Sequence, residues 1–304
     1  MPDMKIGLIG LGNIGQHFAN RLLAGGHELL VYDRAEAAME RAVARGALRT
    51  DSARDLASRA GIVLLCLPMP DIVAEVAAGP GGVIEGTMVE IVVDLSTTGP
   101  SVTREVADKL RARGLAFLGA PVSGGTAAAE KGTLSVMAAG PEATFKAVEP
   151  CLRILGSNIF YLGEDPTLGQ TMKIINNTLY ATSMIASCEA LVYGVKAGLD
   201  AQTMLDVLNV SSGRSYATLE RIPQCVLDRS FPVRFTTALL HKDIKMCLEE
   251  AERIGVPMMV NPVARQFLAF AISQGDGDKD NVYPIRHFEQ WAGVQFGRRP
   301  DAAG

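Results

Sequence analysis

The sequence is poor in the residues that bind metal ions or form disulfides. Four histidines lie far apart along the chain, at His17, His27, His241 and His287. The cysteines are scattered, odd in number and without CxxC spacing, at Cys66, Cys151, Cys188, Cys225 and Cys247. This distribution argues against disulfides and against a zinc site. We therefore expect reduced thiols in the core and no bound metal.

Long apolar runs and an excess of positive charge are also missing. The most apolar long stretch, residues 174–192, carries Asn176, Asn177 and Glu189. No segment of about 18 residues is therefore free of strongly polar groups, and no membrane span is expected. A formal net charge of -4 offers no basic field for nucleic acid, which favours small-molecule chemistry. The N-terminus runs at once into an apolar segment, which leaves no room for a signal peptide and predicts a cytoplasmic protein.

Apolar runs alternate with helical segments in the first half of the chain. With 304 residues, of which 48% are hydrophobic and 20% charged, the chain is long enough for two packed domains. Residues 62–67 and 88–94 predict buried strands, whereas residues 36–45 and 101–113 predict crossover helices. The pattern predicts a doubly wound α/β domain, whose ligands bind at the carboxyl ends of the strands.

A glycine-rich segment, Gly10-Leu-Gly12-Asn13-Ile14-Gly15, follows the first apolar strand and opens a helical pattern. In a dinucleotide fingerprint Gly10 allows the tight turn, Gly12 lets the backbone approach a pyrophosphate, and Gly15 lets the helix pack on the sheet. The amides at the helix N-terminus then face the phosphates. An ordinary strand-to-helix turn is the alternative. The context favours a Rossmann-type nucleotide site.

Asp33 closes the second strand at the distance from Gly10 where the fingerprint expects an acid for the ribose hydroxyls. A 2′-phosphate about 4 Å from this carboxylate would be repelled by about 4 kcal/mol at an effective dielectric near 20. An ion pair between the phosphate and Arg34, if Arg34 is exposed, would offset only about 1 kcal/mol of this repulsion. We therefore expect a preference for NAD, although Arg34 leaves tolerance of NADP open. The alternative is that Asp33 merely begins a turn.

A domain boundary is expected where the strand-like pattern stops, after Tyr161. The breaker Gly163-Glu-Asp-Pro166 precedes helical sequence. We predict a dinucleotide-binding domain at residues 1–163 and an all-helical substrate and dimerisation domain at residues 164–304. The second begins with a helix at 168–197, about 45 Å long. This helix is apolar around most of its circumference, so it must be covered by its own domain or by a partner subunit. Its length suggests a homo-oligomer, a dimer or tetramer.

Two polar groups of residues are candidates for chemistry. Lys173, Asn176 and Asn177 interrupt the apolar surface of the long helix, which indicates hydrogen bonding near a cleft; a solvated stripe is the alternative. The Ser123-Gly-Gly125 segment follows an apolar run at 115–118. Its consecutive amides and hydroxyl can hold a carboxylate, although such a segment is more often a flexible turn.

Together these segments resemble the β-hydroxyacid dehydrogenase family, which includes 3-hydroxyisobutyrate dehydrogenase and tartronate semialdehyde reductase. The resemblance spans nearly the whole chain and rests on residues 10–15, Asp94-Leu-Ser-Thr97, Ala120-Pro-Val-Ser-Gly-Gly125, the 169–177 segment Gly-Gln-Thr-Met-Lys-Ile-Ile-Asn-Asn, and Lys242-Asp243. It implies a reversible NAD(P)-dependent dehydrogenase of a small 3-hydroxy acid.

The resemblance also implies roles for single residues. Lys173 corresponds to the catalytic acid and base, Asn177 helps to orient the substrate, and residues 123–125 (Ser123, Gly124 and Gly125) hold its carboxylate. An ammonium with the ordinary lysine pKa of about 10.4 is protonated at neutral pH and can donate in reduction. In oxidation the Lys173 ammonium must first lose its proton. Oxidation should therefore be faster at alkaline pH than at neutral pH.

Cofactor contacts follow from the same resemblance. Thr97 is implied to lie near the nicotinamide, Leu67 and Pro68 to border the cofactor, and Lys242 to reach the cofactor or substrate. Without the resemblance, Lys242 and Asp243 would be interpreted as a surface pair.

The segment at residues 208–216, Leu-Asn-Val-Ser-Ser-Gly-Arg-Ser-Tyr, resembles the 3-hydroxyisobutyrate branch of the family. Ser215-Tyr216 departs from the cysteine-tryptophan pair of some members, which leaves the substrate open. Arg214 either pairs with a substrate carboxylate or caps the carbonyls of a helix end.

Two other functions compete with the dehydrogenase. Imine reductases resemble this family in fold, but Lys173 argues against that activity because they commonly carry another residue type there. A nucleotide-binding reader domain without chemistry uses the same architecture, and the presence of both Lys173 and Asn177 speaks against it.

Overall fold

The computed structural model describes residues 5–297. The chain forms two compact units, Met1–Lys173 and Ile174–Gly304, which we call the first and second unit. The functional boundary expected after residue 163 stays a prediction.

A parallel sheet in the order β3-β2-β1-β4-β5-β6 organises the first unit. Its strands are β1 (Ile6–Ile9), β2 (Leu29–Tyr32), β3 (Leu48–Arg49), β4 (Ile62–Leu65), β5 (Ile91–Asp94) and β6 (Ala116–Gly119). A second sheet in the order β7-β8-β9 contains β7 (Val122–Ser123), β8 (Ser135–Ala138) and β9 (Asn158–Tyr161). The order of the larger sheet is that of a dinucleotide-binding fold.

Helices cover both faces of the larger sheet. They are α1 (Gly15–Ala24), α2 (Glu36–Val43), α3 (Ala53–Ala57), α4 (Pro70–Ala78), α5 (Pro100–Ala112), α6 (Gly125–Lys131) and α7 (Glu142–Leu155), with a 3-10 turn at Val83–Glu85. Successive strand residues point to opposite faces. Leu64 accordingly packs in one apolar cluster with Phe18 of α1, whereas Val63 packs in another with Val106 of α5.

The second unit is helical. α8 (Thr167–Lys196) begins in the first unit and continues into the second. It is followed by α9 (Ala201–Asn209), α10 (Ile222–Cys225), α11 (Thr237–Arg253), α12 (Asn261–Ala271) and α13 (Ile285–Ala292), with π-helical turns at Ala217–Arg221 and Ile272–Asp276. A separate apolar core joins these helices through residues such as Cys188, Leu205, Ile244 and Leu268.

The expected fold class is confirmed: a doubly wound α/β region of Rossmann type is followed by an all-helical region. The long helix lies within one residue of its predicted ends. Its apolar surface is covered only in part within the chain, since 63% of Leu179 and 75% of Tyr193 are exposed.

All five cysteines are free thiols, and four of them are buried. Loss of solvation raises the pKa of the half-buried Cys66 to about 12, with added effects of the Asp94 and Asp33 carboxylates, and burial raises the pKa of Cys151 to about 12. Burial likewise raises the pKa values of Cys188, Cys225 and Cys247. The described part of the chain contains no helix long and apolar enough to cross a membrane.

Candidate active site

The glycine turn between β1 and α1 has little room for side chains. Gly10 has a φ of +99°, and a Cβ there would lie 2.2 Å from the Cys66 carbonyl oxygen. A Cβ at Gly15 would lie 1.9 Å from the Gly10 carbonyl oxygen. Gly12 is exposed and a Cβ there would meet nothing within 4 Å. The turn is therefore closely packed at Gly10 and Gly15 and open to a ligand at Gly12, as backbone binding of a pyrophosphate requires.

Two further residues of the turn differ in exposure. Asn13 is exposed and Ile14 is half-buried, so Asn13 is available to a ligand at the open side.

Asp33 lies directly after β2 and contacts the same turn. Its Oδ2 accepts a hydrogen bond from the Leu11 N–H at 2.6 Å, and its Oδ1 accepts one from the Ala35 N–H at 2.8 Å. Each carboxylate oxygen can accept more than one hydrogen bond, so hydroxyl groups of a ligand can still bind. Arg34 beside it is exposed.

The ends of β4 and β5 are joined by side-chain hydrogen bonds. The Leu67 N–H donates to Ser96 Oγ at 2.9 Å, and the Ser96 N–H donates to Asp94 Oδ1 at 2.9 Å. Thr97 in this loop is half-buried and Pro68 is exposed. Because β2, β1, β4 and β5 are neighbours in the sheet, the residues of the first unit that are predicted to hold the cofactor all follow adjacent strand ends.

The Ser-Gly-Gly segment is placed differently from the sequence prediction. Ser123, expected in a turn, is the second residue of β7 and pairs with Ser135 in antiparallel register. Gly124 has a φ of +133°, and a Cβ there would lie 2.6 Å from the Ala128 Cβ. Gly124 and Gly125 are exposed at the start of α6. Their backbone is accessible to a ligand.

Lys173 is the last residue of the first unit and is only 8% exposed. This burial contradicts the alternative in which Lys173 belongs to a solvated stripe. A buried ammonium is unfavourable unless its surroundings compensate its charge. The burial of this lysine on α8 therefore points to a use for its charge.

In the second unit, Asn177 is 7% exposed and is held by a carboxylate. Its Nδ2 donates to Asp243 Oδ2 at 2.6 Å, while its Oδ1 accepts from Asn176 Nδ2 at 3.1 Å. The Lys242 Nζ lies 3.2 Å from Asp243 Oδ1, and the carboxylate side of this pair is buried. Lys242 and Asp243 are therefore no surface pair. Asp243 fixes the Asn177 amide, a role that sequence patterns did not reveal.

Arg214 lies in the second unit after α9, and its side chain is exposed. Its backbone N–H donates to the Ser211 carbonyl oxygen at 3.2 Å. Its part in substrate binding stays a prediction.

Both parts of the chain match known families. Residues 5–163 match the family described as the NAD binding domain of 6-phosphogluconate dehydrogenase. Residues 167–288 match the family described as NAD-binding of NADP-dependent 3-hydroxyisobutyrate dehydrogenase.

Similar proteins cover nearly the whole chain. The 2-(hydroxymethyl)glutarate dehydrogenase of Eubacterium barkeri is 36% identical over 293 residues, which cover 96% of this chain and 97% of the relative. The structure of 3-hydroxyisobutyrate dehydrogenase from Mycobacterium tuberculosis with L-serine has a TM-score of 0.84 and 28% identity, covering 93% and 98% of the two chains. An imine reductase from Myxococcus stipitatus, with a TM-score of 0.64 and 18% identity over 93% and 99%, shares the fold alone.

The nucleotide turn, the strand order and these matches define an NAD(P)-dependent oxidoreductase. The chain belongs to the β-hydroxyacid dehydrogenase family, as its sequence predicted. It is thus an NAD(P)-dependent hydroxyacid dehydrogenase.

Proposed function

We propose that the protein interconverts a small 3-hydroxy carboxylic acid and its 3-oxo form, with Lys173 as general acid and base. The observation that carries this proposal is the burial of Lys173 in the segment that matches the catalytic motif of the family. In reduction the ammonium donates a proton to the carbonyl oxygen of the substrate. In oxidation the amine takes the hydroxyl proton.

The residues at the nucleotide turn fit NAD(P). The backbone is closely packed at Gly10 and Gly15, where any Cβ would clash, and open at Gly12. A pyrophosphate can therefore approach the backbone of this turn at Gly12. When bound, the nicotinamide supplies the hydride acceptor or donor. The residues that would hold the cofactor are Gly10, Gly12, Asn13, Ile14, Gly15, Asp33, Arg34, Leu67, Pro68, Thr97 and Lys242.

Substrate binding is assigned to polar groups that suit a carboxylate and a hydroxyl. The exposed backbone at Gly124 and Gly125, with Ser123, would hold the carboxylate, and Arg214 would supply positive charge. Asn177 would orient the substrate, because its amide is itself fixed by Asp243.

We also propose a division of labour and an assembly. Residues 1–163 would bind the dinucleotide, and residues 164–304 would contribute substrate and subunit contacts. The exposed Leu179 and Tyr193 on α8 support a homo-oligomer, since apolar surface of this kind is commonly covered by a partner. Five reduced thiols are typical of a cytoplasmic protein.

A substrate panel with NAD and NADP tests the function. The panel contains 3-hydroxyisobutyrate, 2-(hydroxymethyl)glutarate, L-serine and a cyclic imine, with reduced-cofactor absorbance as the readout. We expect oxidation of at least one hydroxy acid, faster near pH 10 than near pH 7 because the amine must be free of its proton. Lys173→Ala should lower kcat by about 10² to 10⁴-fold while NADH still binds.

Lys196→Ala is the matched control, because Lys196 is an exposed lysine on the same helix. Its kcat should equal that of the wild type. Reduction of the imine only, cofactor binding without any turnover, or a Lys173→Ala variant within tenfold of wild-type kcat would each overturn the proposal.

A further inference from the structure

Gln170 is a fully buried polar residue on α8, within the first unit and three positions before Lys173. Its Nε2 donates to the Ser96 carbonyl oxygen at 2.9 Å and faces Asp94 Oδ2 at 3.4 Å. Its Oε1 accepts from the Thr98 N–H at 2.9 Å and from the Gly99 N–H at 3.3 Å. The reversed amide would place its NH₂ group against two N–H donors, so this environment allows one orientation only.

The loop that Gln170 contacts follows β5 and contains Thr97. Both neighbours of Thr97 are bound to the Gln170 amide, Ser96 through its carbonyl and Thr98 through its N–H. Asp94 supports the same loop, because its Oδ2 accepts from Thr98 Oγ1 at 2.5 Å. Gln170 therefore forms hydrogen bonds with the backbone on each side of Thr97.

The network extends to the next strand end. Ser96 Oγ accepts from the Leu67 N–H, so the segment after β4 is joined to the loop that Gln170 holds. Thr97 is the residue implied to lie near the nicotinamide, and Leu67 is implied to border the cofactor. The Gln170 side chain is thus linked by hydrogen bonds to the loop after β5 directly and to the segment after β4 through Ser96.

Gln170 and Lys173 are neighbours on one face of a rigid helix, since residues three apart lie side by side. Any shift of the loop against the helix at Gln170 would therefore change the position of Thr97 relative to Lys173. Errors of about 1 Å in such a placement can lower a rate by about 10²-fold.

We propose that Gln170 is a positioning residue, which fixes the loop carrying Thr97 against the helix that carries the acid-base lysine. It acts through its neighbours and touches no reacting atom. This inference rests on the proposed role of Lys173. Its distinguishing consequence is that loss of the amide lowers kcat more than it lowers cofactor affinity or stability.

Two variants separate the parts of the amide. Gln170→Met keeps the length of the side chain and removes every hydrogen bond. Gln170→Glu keeps an acceptor for Thr98 and Gly99, but its carboxylate cannot donate to Ser96 and would lie close to Asp94. Protonation at low pH would restore the donor, so the kcat of this variant relative to wild type should rise as the pH falls from about 8 to about 5.5.

The control must be a variant with a similar loss of stability elsewhere in the same unit. Val106→Ala opens a cavity in the apolar cluster to which α5 contributes, and it removes none of the hydrogen bonds of the network. Melting temperatures of all variants are measured beside kcat, KM and the Kd of NADH. Hydrogen-exchange mass spectrometry of residues 95–99, without cofactor or substrate, reports directly whether the loop is released.

We expect Gln170→Met to exchange faster at residues 95–99 and to lose about 10- to 100-fold in kcat, with the Kd of NADH changed less than threefold. Val106→Ala should retain kcat at an equal loss of melting temperature. Unchanged exchange, a kcat of Gln170→Met within twofold of wild type, or an equal loss of kcat in Val106→Ala would overturn the inference. A wild-type protein that turns over no hydroxy acid would instead remove the proposed function, and this inference with it, even if the exchange result held.

Discussion

Asp33, which we propose as the ligand of the ribose hydroxyls, also holds the nucleotide turn. It receives the N–H groups of Leu11 and Ala35, so part of its hydrogen-bonding capacity holds the backbone of the turn. The remaining lone pairs and its negative charge favour ribose hydroxyls over a 2′-phosphate. We therefore propose NAD as the preferred cofactor, with Arg34 available to a phosphate.

Asp33→Asn should shift the preference toward NADP, because the variant removes the repulsion of a 2′-phosphate. The ratio of kcat/KM with NADP to that with NAD should rise at least about tenfold, since a full charge near 4 Å is worth up to about 4 kcal/mol at an effective dielectric near 20. Asp108→Asn, an exposed aspartate on α5, should leave the ratio unchanged. A constant ratio in Asp33→Asn would show that this carboxylate does not select the cofactor.

At the scale of elements, the glycines of the β1 to α1 connection differ in the space around them. Gly15 is needed for close packing of the backbone, whereas Gly12 leaves room for the cofactor. Gly15→Ala places a methyl group against the Gly10 carbonyl, whereas Gly12→Ala places one in open space. The first should destabilise by about 1 to 3 kcal/mol, which lowers the melting temperature by about 5 °C. The second should leave the melting temperature unchanged and weaken NADH binding at least about tenfold, because the methyl group blocks close approach of the pyrophosphate.

Thermal unfolding and NADH titration of both variants check this prediction. If Gly12→Ala were the less stable variant, or if it bound NADH as the wild type does, the assignment of the two glycines would be wrong.

Elements with a strong apolar pattern were predictable from the sequence. The helix expected at 168–197 is Thr167–Lys196, and the strand expected at 62–67 is Ile62–Leu65. The short strand Val122–Ser123 was not, because two residues carry no periodicity and the pairing partner lies at Ser135.

The polar network of the site could be predicted only in part. The motif containing Lys173 and Asn177 is visible in the sequence as polar residues among apolar ones. Gln170 carries no such signal, since a glutamine on a helix is ordinary and its partners at Ser96 and Thr98 come from a distant segment. Asp243 was likewise visible as a residue but not as the group that holds Asn177.

At the scale of the whole molecule, the second unit has its own buried ion pair. Arg221 Nη2 donates to Asp280 Oδ1 at 2.6 Å, and Asp280 Oδ2 also accepts from the Arg234 and Phe235 N–H groups. Burial disfavours the charge of Arg221, but Tyr180 and Asp280 hold the pKa of this guanidinium above its ordinary value. The arginine therefore stays charged wherever the protein is folded.

Arg221→Met should strongly destabilise the second unit, because it leaves the buried Asp280 carboxylate without its counter-ion. We expect a loss of about 3 to 5 kcal/mol in the free energy of unfolding, measured by urea denaturation. Asp108→Asn breaks the exposed pair with Arg111 and should lose less than about 1 kcal/mol. Equal losses in the two variants would mean that burial adds nothing to the importance of the Arg221 pair.

The ionisation of the five cysteine thiols determines how fast they react with oxidants and electrophiles. With a pKa of about 12, Cys66 is ionised at pH 7 in about one molecule in 10⁵, and only the ionised form attacks such reagents. Burial also raises the pKa values of the other four thiols, which lowers the ionised fraction of each. We therefore expect the native thiols to react slowly with peroxide and alkylating reagents, including Cys66 beside the nucleotide turn.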